Sequence, residues 1–265
     1  MPVYVLQWSN VTAIGKVGLL TVPLCDLYVP ILRTALPAIV TGQSVAGPKS
    51  TCSTRLNLAT SGSRQELEDL IGFLSHYPLV PRTRHLDGHF TNELSQAFVL
   101  ARNFETPEGT SYTEVGALER DAKYNGDKPS AERLGVLLAE AIKAHPYYRL
   151  ADAVAAVPGA RGKKSHLPDA LVTVVADKSG LRPLRLERPG EAPPAKGLTV
   201  EKKLAFLKDA FRCGEDVQQK RIVLIDDLYQ SGATLFSIAA MLGRQGAQDV
   251  VALACVKSWR DSDNV

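Results

Sequence analysis

The sequence predicts an α/β fold, a mostly parallel sheet flanked by helices, with an additional N-terminal α+β region. Three observations point to it. Ala151 to Val157 and Arg221 to Ile225 are short, nearly all-apolar runs, as parallel strands buried on both faces require. Turn chemistry ends the first of them at Pro158-Gly159. The second leads through a helical repeat of Leu235, Ile238, Met241 and Leu242 to a third apolar run, Val250 to Val256. Strand, helix, strand in this order places helices on a parallel sheet.

At 265 residues and 28.6 kDa the chain has room for one large domain or two small ones. With 45% hydrophobic and 22% charged residues it falls outside the fibrous and low-complexity classes. No uncharged apolar run reaches the ~18 residues of a spanning helix, since Lys16, Asp26 and Arg33 interrupt the most hydrophobic stretch. The first residues lack the positive charge of a secretory leader, so a cytoplasmic location with no membrane partner is expected. Cys25, Cys52, Cys213 and Cys255 are too scattered for a structural zinc site. The net charge of +3 is unevenly spread: Arg161 to Arg212 holds twelve Lys or Arg against six Asp or Glu.

Along the chain, Pro2 to Val40 reads as short strands and turns, because Pro23, Pro30 and Pro37 disfavour long helices. Thr41 to Ser63 is rich in small residues and reads as a loop. Ser63 then caps a helix over Arg64 to Tyr77, with Leu67, Leu70, Ile71 and Leu74 on one face. The turn residues Thr106-Pro107-Glu108-Gly109 suggest a boundary, dividing the chain into an unassigned region, 1–111, and a second domain, 112–265. Ser130 is expected to cap a helix carrying Leu134, Leu137, Leu138, Ala141 and Ile142. Leu167 to Ala176 reads as a covering helix, although Val172, Thr173, Val174 and Val175 also allow a strand. The four prolines and three arginines between Arg182 and Lys196 suggest a mobile loop, and Glu201 to Phe211 a further helix.

The strongest chemical signal is Asp226-Asp227-Leu228-Tyr229-Gln230-Ser231-Gly232-Ala233-Thr234, between an apolar strand and a helix. Two carboxylates at a strand end can accept hydrogen bonds from vicinal hydroxyls. A Ser-Gly-Ala-Thr turn opening a helix aims backbone N–H groups and hydroxyls at a phosphate. A sugar phosphate suits both halves, and Gly232 leaves room for its close approach.

This element resembles the defining motif of the type I phosphoribosyltransferases, matched by Asp226, Asp227, Ser231, Gly232 and Thr234. The resemblance implies that the acids hold the ribose hydroxyls of phosphoribosyl pyrophosphate (PRPP) and coordinate Mg2+. It also implies that Tyr229, Gln230, Ser231, Gly232, Ala233 and Thr234 form the 5-phosphate loop. Upstream, Val157-Pro158-Gly159-Ala160-Arg161-Gly162-Lys163-Lys164 stands where the family places its pyrophosphate loop. Gly159, Ala160 and Lys163 are then PRPP contacts, and Arg161 joins Asp226 and Asp227 as catalytic, its charge suited to an anionic leaving group. More narrowly, Lys123-Tyr124-Asn125-Gly126, Leu134 to Ala139, Lys196 to Thr199 and Asp209-Ala210-Phe211 are similar to the ComF branch, the competence-associated phosphoribosyltransferase-like proteins. The cysteine-rich ribbon that often opens those proteins is absent, and Arg161 to His166 departs from their usual sequence after the pyrophosphate loop.

The function implied is transfer of ribosyl phosphate from PRPP, with Mg2+, to an unidentified nitrogen acceptor. The alternative is a non-catalytic PRPP or nucleotide sensor working with nucleic acid or a protein partner. The ComF link to single-stranded DNA and the basic stretch from Arg161 to Arg212, with Arg182, Arg185 and Arg188, make weak single-strand binding an expectation. His76, His85 and His89 read as surface-loop residues rather than a metal site, because Gly88 weakens the helix that would align the last two. Trp8 and Trp259 read as packing residues.

Overall fold

The computed structural model describes residues 12–14, 18–22, 29–36, 39–46, 52–58, 62–80, 86, 88–90, 93–159, 166–189 and 200–259. Its centre is a five-stranded sheet of order β5-β11-β10-β6-β7, formed by Gln96–Arg102, Asp249–Lys257, Arg221–Tyr229, Ala153–Ala156 and Arg182–Leu184, with every pairing parallel. Ile222, Val223, Leu224 and Ile225 are each 0% exposed, alternating between two cores on opposite faces. Covering both faces is what makes the run continuously apolar, and each such burial contributes about 1.5–3 kcal/mol.

One face carries α2 (Gly62–His76), α3 (Glu114–Tyr124), α4 (Lys128–Ala144) and α5 (Leu167–Ser179), with α1 (Val29–Ala35) joining the same core. The other carries α6 (Val200–Leu207) and α7 (Ala233–Arg244). Helices α4 and α5 touch closely: a Cβ on Gly135 would lie 2.5 Å from Cβ of Val174. The ambiguous valines of 172–175 are thus helical, with Leu171, Val172 and Val175 buried against the sheet.

Several expectations change. The stretch 41–63, read as a loop, holds most of β3 (Ile39–Ala46) and all of β4 (Cys52–Leu58), in an antiparallel sheet of order β1-β2-β4-β3 with β1 (Thr12–Ile14) and β2 (Gly18–Val22). Val40, Thr41, Val45 and Thr54 have strand preferences that the neighbouring small residues obscured, and a register shift between Thr41 and Ser44 accommodates Gly42. Pro30 enters α1 at its second position, where a missing N–H is tolerated. Asp127, not Ser130, caps α4: its carboxylate accepts from the Ser130 N–H at 2.9 Å. Arg182–Leu184, expected to be mobile, is the edge strand β7, where Pro183 is tolerated. Leu186–Glu187 pairs as β8 with β9, Arg212–Cys213. The parallel sheet also takes β5 from before residue 112, the position at which the sequence suggests a boundary.

Candidate functional site

Strands β6 and β10 are neighbours and parallel, with Ile225 paired to Ala156. From β6 the chain crosses one face through α5 to β7. From β10 it crosses the other face through α7 to β11. The two loops therefore leave the same sheet edge in opposite directions, the topological switch point where open α/β sheets form their ligand crevice. Strand β10 continues through Tyr229, paired with β11, while its pairing with β6 stops at Ile225. Asp226 and Asp227 thus lie inside the strand rather than after it.

Helix α3 runs from the end of β5 to this edge. Thr113 starts it, accepting from the Gly116 N–H at 2.9 Å while its hydroxyl donates to the Arg102 carbonyl at 2.5 Å. Its last turn carries Lys123, whose Nζ lies 3.0 Å from Asp227 Oδ2 and 3.2 Å from Glu119 Oε1. Burial pulls the ammonium toward neutrality, but the charges of Asp227 and Glu119 prevail and hold it above its ordinary pKa. Burial, opposed by Lys123 and reinforced by Asp227, raises Glu119 above the usual carboxylate range. Asp226 accepts from the Asp227 N–H at 2.9 Å, and burial together with the Asp227 charge pushes its carboxyl well upward. Nothing in the sequence marks Glu119, and Lys123 belongs there only to the Lys123-Tyr124-Asn125-Gly126 block; the ion pairs that join them to Asp227 exist only in the fold.

After the acids, Tyr229, Ser231 and Ala233 are buried at 1%, 2% and 1% exposure, while Gln230 and Thr234 keep part of their surface open. Gly232 begins α7 with φ +84°, the left-handed region, and has no side chain to cap the helix. A Cβ there would meet Tyr229 Oη at 2.3 Å, so Tyr229 and backbone conformation demand this glycine independently of any phosphate. The Ala233 N–H donates to Ser231 Oγ at 3.4 Å. The amino end of α7, with its partial positive charge, faces the crevice edge.

On the β6 side Gly159 stands against His166: a Cβ on it would lie 2.3 Å from the imidazole Cδ2. His166 precedes α5 and approaches Asp169, Nδ1 to Oδ2, at 3.4 Å. Ala160, Arg161, Lys163 and Lys164 lie outside the described residues, as do His85, Trp8 and the Lys196 to Thr199 block. Two arginines of the basic stretch are paired with acids, Arg182 with Glu215 at 3.7 Å and Arg185 with Glu187 at 3.5 Å, and Arg188 lies over the Phe211 ring at 5.5 Å. Trp259 packs as expected, its indole N–H donating to the Phe104 carbonyl and its ring under Arg102. Among the described residues no three His, Cys, Asp or Glu side chains gather as a metal cluster, and no helix is long and apolar enough to cross a membrane.

Neither a family model nor a curated protein matches the sequence. Among solved structures the chain is similar to a purine phosphoribosyltransferase from Pyrococcus horikoshii Ot3, at 18% identity over 48% of this chain and 81% of that one, with a TM-score of 0.31.

Proposed function

We propose that the crevice between β6 and β10 binds PRPP with Mg2+ and transfers its ribosyl phosphate to a nitrogen acceptor, releasing pyrophosphate. The observation that carries this reading is the adjacency of β6 and β10 at the switch point. It brings the Asp226 to Thr234 motif and the chain leaving Gly159 to one sheet edge. The working unit is 112–265, completed by β5.

In this reading Asp226 and Asp227 accept hydrogen bonds from the ribose hydroxyls. Gln230, Thr234 and the backbone from Tyr229 to Ala233 receive the 5-phosphate. Gly159, Ala160 and Lys163 take the pyrophosphate, and Arg161 stabilises the charge that develops on it. The C1–O bond to pyrophosphate breaks, a C1–N bond forms, and the acceptor nitrogen's proton passes to solvent. The donor set fits magnesium, which favours one or two carboxylates completed by substrate and water oxygens. Asp226 and Asp227 would hold it, and when bound it would neutralise charge on the leaving group. The second reading, a sensor without turnover, uses the same crevice. Pyrophosphate release on addition of candidate acceptors separates the two.

The test is calorimetric titration of PRPP, with and without Mg2+, into the wild type and Asp226→Asn/Asp227→Asn. Because Asp227 also holds Lys123, thermal melts accompany the titrations and Asp226→Asn alone serves as the variant that keeps the ion pair. At least a tenfold loss of magnesium-dependent affinity is expected in both. Unchanged affinity in folded variants overturns the assignment.

A further inference from the structure

Helices α6 and α7 do not close against each other along their whole length. Between them and the residues His89, Phe90 and Glu93 lies a cavity of about 360 Å3, within the size range of small-ligand sites. Helix α7 lines it with Ser237, Ala240 and Arg244, one stripe at helical spacing, α6 with Leu204 and Ala205, and the turn after α6 with Lys208. The small side chains of Ser237, Ala240 and Ala205 create the space. Arg244 Nη2 donates to the Lys208 carbonyl at 3.4 Å, tying the end of α7 to the residue that follows α6 and setting the guanidinium beside Lys208 at the cavity wall. Phe90 forms an aromatic wall, its ring 5.3 Å from that of Phe236 behind it. The lining thus joins an apolar side, Phe90 and Leu204, to the basic residues Lys208 and Arg244, with His89 and Glu93 completing its polar part.

This cavity starts at Ser237, one turn of α7 beyond Ala233, and runs away from the crevice. Arg244 lies about 16 Å along α7 from Ala233 at the helical rise of ~1.5 Å per residue, toward the edge where β5 begins.

We propose that this cavity is a second ligand site, taking a planar ring that bears a single anionic group, carboxylate or phosphate. The ring lies along Phe90 and Leu204, and the anion meets Lys208 and Arg244. The ring's burial supplies affinity and the cations fix its direction. The site does not depend on the PRPP reading.

Calorimetry with phenyl phosphate, benzoate and phenol on the full chain tests this. Either anion should bind one per chain and at least tenfold more tightly than phenol, the better anion identifying the preferred group. Ala240→Leu fills the cavity and should weaken binding at least tenfold, whereas the α7 amino end is untouched by it. Lys208→Glu, at an exposed position that does not threaten folding, should weaken binding similarly and flatten its salt dependence. Absence of binding at millimolar concentrations of both anions, equal binding of phenol, or full affinity in folded Ala240→Leu or Lys208→Glu would each overturn the proposal.

Discussion

Replacing Lys123 with Met removes the ammonium between Glu119 and Asp227 while keeping an unbranched apolar stem. Two acids then face each other with little access to water. Removing one partner of a fully buried ion pair costs about 3–5 kcal/mol. The side chains of Lys123, Asp227 and Glu119 retain 25%, 15% and 8% exposure, so solvent screens part of the penalty. A loss of about 2–3 kcal/mol is expected, or roughly 4–12 °C in Tm for a chain of this size. The loss should depend on pH with a definite sign. Glu119 already binds its proton more tightly in the folded state, and without Lys123 it binds it more tightly still. A raised folded-state pKa contributes stability that is complete below the unfolded value and lost as pH rises through the folded one. The deficit should therefore be greatest near pH 8 and shrink toward pH 5. Circular-dichroism melts of the wild type, Lys123→Met, Glu119→Gln and the double variant provide the assay, with the double variant more stable than Lys123→Met because the stranded acid is gone. A deficit below about 0.5 kcal/mol, the scale of ordinary surface changes, or one that does not vary between pH 5 and 8, refutes the reasoning.

Two glycines give further tests. Gly135→Ala should destabilise by about 1–3 kcal/mol through overpacking, despite alanine's better helix propensity, because its Cβ meets Val174; adding Val174→Ala should recover much of the loss in urea unfolding. Gly232→Ala should cost about 1–3 kcal/mol from the positive φ and the contact with Tyr229. Phosphate affinity in that variant is informative only after a melt establishes that it is folded.

What could be read from the sequence follows from where the physics is local. Strands β6, β10 and β11 announce themselves because burial on both faces makes them apolar throughout, and α7 because Leu235, Ile238 and Leu242 keep a helical period. The acid pair and the Ser-Gly-Ala-Thr turn after it are contiguous and equally visible. Helix α3 is not, since its inward side includes Glu119 and Lys123, and the ion pair that gives them meaning joins residues about a hundred positions apart. The N-terminal sheet escaped because small residues among its strands resemble a loop. The sequence offers one reason for Gly232, room for a ligand, and the structure adds another in the Tyr229 side chain.

The parallel sheet places its earliest strand, β5, at the edge beside its latest, β11. Ser95 and Asp249 meet across 154 positions, and Trp259 and Phe104 across 155. During synthesis the apolar stretch from Ala97 to Leu100 must therefore wait for the whole intervening stretch, 154 positions between Ser95 and Asp249, before its pairing partner leaves the ribosome. Closing so long a span is entropically slow, and until then β5 offers an unpaired edge to any other extended chain. The nascent sheet is thus exposed to mispairing until β11 emerges, and that strand acts as the clasp that ends the exposure.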